Sequence, residues 1–147
     1  MKKHLCNSLI ALFGGLFGVS VLFIVYRLIS NAGLFINPFP PTLLGYFLYY
    51  LLFISFIEEG TKFLIIKREI GQFPYGFLLG FGWGSGELFL RYLSKGVLLQ
   101  PQWFIILHII TAGIICYFVK KNKPVLGLVI AIAIHTGFNL LVDWTIQ

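Results

Sequence analysis

The sequence predicts an all-α, polytopic membrane helical bundle of about five transmembrane helices, folded as a single domain over residues 1–147. Three observations predict it. Mean hydropathy is +0.92, and 59% of the residues are hydrophobic against 11% charged, a balance far from that of soluble domains. Apolar runs of about twenty residues, the length that crosses a ~30 Å hydrocarbon layer, recur along the chain. Lys and Arg gather in the short connections between these runs, where orientation signals belong.

The first run, Leu5 to Ile29, exceeds the roughly 7 to 15 residues of a signal-peptide core and lacks a small-residue cleavage site, so it reads as a retained first span. The connection from Ser30 to Thr42 holds Asn31, Gly33, Asn37, Pro38, Pro40 and Pro41, which is turn chemistry without charge. A second span follows over residues 43–66 and ends at Lys67, Arg68, Glu69 and Gly71. Pro74 suits the first turn of a third span, residues 74–93. After a connection from Lys95 to Pro101 come a fourth span, 102–119, and the basic turn Lys120, Lys121, Asn122, Lys123, Pro124. The fifth span covers 125–146. Alternating spans put Lys2, Lys3, Lys67, Arg68, Lys120, Lys121 and Lys123 on one side, so the amino terminus is expected to be cytoplasmic. The same distribution turns the formal charge of +6 away from nucleic acid and toward the lipid bilayer. Cys6 and Cys116 fall inside spans, where neither a disulfide framework nor a cysteine-rich zinc site is expected. Gly76, Gly80 and Gly84 form a small-xxx-small series suited to close helix contact.

Five ionisable residues interrupt the apolar runs: Glu58, Glu59, Glu87, His108 and His135. Such groups are costly in lipid and mark functional sites. At ~1.5 Å per residue, Glu58 lies ~12 Å, Glu87 ~20 Å, His108 ~17 Å and His135 ~15 Å from the cytoplasmic ends of their spans, which points to one shared polar level. Each has a structural alternative. Lys62 stands four and three residues after Glu58 and Glu59 and is expected to hold one of them as the anion, leaving the other as a general base. Arg91, one turn after Glu87, offers a salt bridge or snorkels outward. His108 could be satisfied by backbone or by Thr111. His135 and Asn139 share a helix face, where Asn139 can orient the imidazole or donate a hydrogen bond to substrate, unless the pair is interhelical glue.

In order, Glu58-Glu59-Gly60-Thr61-Lys62, then Gly80 to Glu87, then His108, then His135-Thr136-Gly137-Phe138-Asn139 resemble the motifs of the PrsW-like intramembrane proteases. These are relatives of the CAAX prenyl protease and bacteriocin-processing superfamily. The resemblance runs from about Leu43 to the end. It implies proteolysis of a membrane-anchored protein substrate, with Glu58, Glu59, Glu87, His108 and His135 as the matching positions. Prenyl-protein relatives carry an arginine after the glutamate pair and a histidine in the second motif; Lys62 and Glu87 stand there, which points away from prenyl substrates. The broad fold also resembles a non-catalytic scaffold subunit of gamma-secretase. Other protease signatures are absent or altered. There is no His-Glu-x-x-His helix, Glu87 replaces the Asp of a Gly-x-Gly-Asp motif, and Trp83 blocks a Gly-x-Ser-Gly reading at Ser85.

The catalytic set expected from these readings is Glu58, Glu59, Glu87, His108, His135 and Asn139. A carboxylate of the Glu pair would take a proton from water, with His108, His135 and Asn139 on the oxyanion or the leaving amine. In a variant, a divalent metal such as zinc sits among Glu58, Glu87, His108 and His135. Two other classes compete: a scaffold whose polar groups hold helices together, and an ion- or proton-coupled transporter.

Overall fold

The computed structural model describes residues 2–31, 42–67, 73–95 and 102–146. The expected connections over 32–41, 68–72 and 96–101 lie outside them. Every regular element among the described residues is helical: α1 (Lys2–Asn31), α2 (Leu43–Tyr49), a π-helical stretch (Tyr50–Ser55), α3 (Phe56–Ile65), α4 (Phe73–Lys95), α5 (Gln102–Lys120) and α6 (Pro124–Ile146). The segment α2, π stretch and α3 is one continuous rod, so five helices build the bundle. Three of them are long and apolar enough to cross a membrane, through His4–Val25, Gln102–Lys120 and Pro124–Val142. This is a membrane protein. The rod carries Glu58, Glu59 and Lys62, and α4 carries Glu87 and Arg91, the charged residues of the polar cluster.

Glycine positions set the packing of α4. A Cβ on Gly76 would stand 2.8 Å from the Cys116 Cβ, one on Gly84 2.6 Å from the Ile105 Cα, and one on Gly80 would strike the His108 carbonyl. The Gly76, Gly80, Gly84 series is therefore the α5 face of α4, and the pairing runs antiparallel. A second glycine set faces α1: Gly82 against the Leu12 carbonyl, Gly86 against Val19, with Gly15 and Gly18 of α1 against the backbone and ring of Trp83. With both flanks free of side chains, α4 sits between α1 and α5 at backbone contact.

Helix α5 turns into α6 through a Schellman-type end. Asn122 adopts φ 56, Lys123 N–H donates to the Phe118 carbonyl at 2.9 Å and Asn122 N–H to Val119 at 3.1 Å, and Pro124 opens α6. The basic turn read from the sequence is thus a tight helical hairpin with Lys121, Asn122 and Lys123 exposed. At this end of the bundle, Ala11, Ile66, Tyr75, Leu79, Ala112, Ile115, Cys116 and Ala131 form the apolar core. His4 Nδ1 meets the Tyr75 hydroxyl at 2.6 Å there, tying the start of α1 to the start of α4.

The π stretch is the local feature that no periodicity announced. Phe56 N–H donates to the Leu51 carbonyl, five residues back. Such a wide turn shifts the helical register just before the Glu pair, a placement common at functional sites.

Candidate functional site

Three helices bring most of the buried polar side chains together. From α3 come Glu59 and Lys62, each 0% exposed; from α5 His108 and Thr111; from α6 His135, Thr136 and Asn139, all buried. An apolar surround of this kind tolerates charges only when they are paired and hydrogen-bonded. Glu59 Oε1 meets that demand by accepting from three partners: Lys62 Nζ at 2.6 Å, His135 Nδ1 at 2.7 Å and Thr111 Oγ1 at 3.2 Å. Lys62 Nζ also reaches His108 Nδ1 at 2.7 Å. The carboxylate that Lys62 holds is therefore Glu59, the i,i+3 partner. Thr111 serves Glu59 rather than His108.

Glu58 faces the other way. Its Oε2 accepts from the Trp83 indole N–H at 3.0 Å and lies 4.0 Å from His108 Nε2. Trp83 of α4 is fully buried between Gly18 of α1 and α3 and also sits under Lys62 Nζ, 5.2 Å from the ring centroid. Sequence reasoning used Trp83 only to dismiss a serine motif. Its indole donor in a glycine-rich helix was the available signal, because a buried Trp N–H seeks an acceptor.

Glu87 is shared. Its Oε1 pairs with Arg91 at 2.6 Å, and its Oε2 accepts from His108 Nε2 at 2.5 Å. The salt bridge read for Glu87 forms on one oxygen, and the other oxygen meets His108. Arg91 is 33% exposed and lies over the Phe104 ring at 4.5 Å. The imidazoles of His108 and His135 meet edge to face, 5.1 Å between centroids. Asn139 is buried on the same stripe of α6, but among the described residues no hydrogen bond joins it to His135; Glu59 orients that ring instead.

The hydrogen-bond network assigns the imidazole protons. Glu59 only accepts, so His135 donates through Nδ1. Lys62 only donates, so His108 Nδ1 accepts and Nε2 carries the proton that Glu87 receives. This bears on a metal. Glu58, His108 and His135 offer ligand atoms within 4.8 Å of one another. Zinc needs deprotonated donors at ~2.0–2.2 Å. As arranged, His108 Nε2 is bonded to Glu87, so a metal held by Glu58, His108 and His135 would have to displace that bond and its proton.

Three buried polar atoms have no hydrogen-bond partner among the described residues: Ser55 Oγ, Glu59 Oε2 and Thr136 Oγ1. They are acceptor and donor capacity that a water molecule or a peptide group can use. No family model, curated protein or solved structure matches the chain.

Proposed function

We propose that the chain is an intramembrane endopeptidase that hydrolyses a peptide bond of a membrane-anchored protein. The observation that carries this reading is the division of the glutamate pair. Glu59 is sealed and fully engaged on one oxygen, whereas Glu58 keeps 17% of its side chain exposed and stands 4.0 Å from a histidine N–H. Glu58 takes a proton from water as the water attacks the scissile carbonyl. The His108 N–H, His135 and Asn139 line the place where charge develops, on the oxyanion or on the departing amine. No step passes through a metal.

Five passes with a cytoplasmic amino terminus complete the reading. Lys67 and the Lys120, Lys121, Lys123 group lie at the same end as the start of α1, in line with the positive-inside rule. The four ordered motifs support membership of the PrsW-like proteases.

The test is cleavage of a single-span reporter protein in lipid vesicles holding the purified chain. Wild type is expected to cut and Glu58→Gln to lose ~100- to 10,000-fold in rate, the span of a general base. Equal cleavage by Glu58→Gln removes Glu58 from the reaction, and resistance to a chelator is expected throughout.

A further inference from the structure

We propose that Lys62 is a positioning residue that sets His108 as a neutral imidazole protonated on Nε2, and that it replaces this proton when His108 gives it to the departing amine. The catalytic half of the proposal rests on the endopeptidase reading; the tautomer half does not.

The geometry is unusually complete. An ammonium has three donors and no acceptor, and Lys62 Nζ has three acceptors around it: Glu59 Oε1 at 2.6 Å, His108 Nδ1 at 2.7 Å and Thr111 Oγ1 at 3.4 Å. The Trp83 ring lies alongside, 5.2 Å from Nζ to its centroid. Nothing on the lysine can accept a proton from Nδ1 while it stays charged, so Nδ1 must present its lone pair. On the opposite nitrogen, Glu87 Oε2 is an acceptor and needs the N–H. Two partners from different helices thus demand the same tautomer. Lys62 and His108 are both fully buried, which keeps bulk water from exchanging the roles.

A lysine bonded straight to an imidazole nitrogen is also a proton source in line with it. When the peptide nitrogen displaces Glu87 from the Nε2–H, that N–H bond breaks and a new one forms on the amine as its C–N bond breaks. In the same step an Nζ–H bond of Lys62 breaks and an Nδ1–H bond forms, so His108 stays neutral in the other tautomer and Lys62 is left as the amine. The proton that Glu58 took from water passes to His108 Nε2, 4.0 Å away, as the Nδ1 proton returns to Lys62, and the site is reset. Atoms and charges balance without a co-reactant.

Two measurements test this. Nitrogen-15 NMR of histidine-labelled wild-type protein in lipid nanodiscs should show His108 with a protonated Nε2 and an unprotonated Nδ1. A protonated Nδ1, in the other tautomer or in an imidazolium, overturns the assignment whether or not the protein cuts anything. In the reporter assay, Lys62→Arg keeps the charge and the donor to Nδ1 but cannot surrender a proton, so a fall of ~100-fold with the tautomer unchanged is expected. Wild-type rates in a folded Lys62→Arg protein overturn the relay. Should Arg not fit, a single-proton solvent isotope dependence of wild-type cleavage overturns it equally, since the relay moves two protons together. Wild-type protein that cuts no reporter removes the endopeptidase reading and the relay with it, and leaves the NMR result standing.

Discussion

Glu58 and Glu59 are neighbours in the chain and opposites in the structure. On the α5–α6 side, Glu59, Lys62, Thr111 and His135 form a closed cluster with no solvent exposure beyond 2%. On the α4 side, Glu58, Glu87 and Arg91 keep 17%, 12% and 33% of their side chains exposed. His108 belongs to both, with Nδ1 in the closed half and Nε2 in the open half. The difference teaches that one helix turn supplies both a buried clamp and a partly exposed carboxylate: a helix rotates ~100° per residue, so adjacent glutamates cannot share an environment.

The largest expected effect separates the halves by activity. Glu58→Gln should cost ~100- to 10,000-fold in reporter cleavage while shifting unfolding in detergent by no more than ~1 kcal/mol, because an amide oxygen still accepts from Trp83. Glu59→Gln should do the reverse in kind. It leaves the Lys62 charge without its partner in the core, and thermal or denaturant unfolding should report a loss of ~3–5 kcal/mol. If the two variants unfold alike, the division between clamp and working group is broken.

Packing predictions sharpen the comparison at the backbone. Gly80→Ala places a Cβ against the His108 carbonyl, and overpacking of this kind costs ~1–3 kcal/mol; it should also perturb the His108 imidazole signals in NMR. Trp83→Phe removes the only donor to Glu58 among the described residues, for a loss of ~0.5–1.5 kcal/mol measured by the same unfolding assay. The smallest effect has the opposite sign. A Cβ on Gly60, beside the clamp, meets nothing within 4 Å, so Gly60→Ala should raise stability by up to ~1 kcal/mol through helix propensity alone.

Much of the fold was legible because hydrophobic length and punctuation carry it. Pro74, the Lys120 to Pro124 turn and the Gly76, Gly80, Gly84 series each mark a boundary or a contact that the structure realises. The π stretch was not legible: Tyr50 to Ser55 is a run of bulky apolar residues equally at home in an α-helix. In the site, local spacing announced Glu59 with Lys62 and Glu87 with Arg91, since three- and four-residue offsets fix a helix face. Contacts across helices had no such ruler. Lys62 to His108 spans 46 residues and Trp83 to Glu58 spans 25, and depth counting said only that the groups share a level. It could not say which nitrogen or which oxygen meets which partner.

The most direct test of the central claim, that Glu58 activates water against a peptide bond, is mass spectrometry of a single-span reporter incubated with the reconstituted protein in heavy-oxygen water. The expected result is one heavy oxygen atom in the new carboxyl terminus made by wild type, and negligible labelled product from Glu58→Gln. Intact reporter with wild type, or labelled product at the same rate from Glu58→Gln, would contradict it.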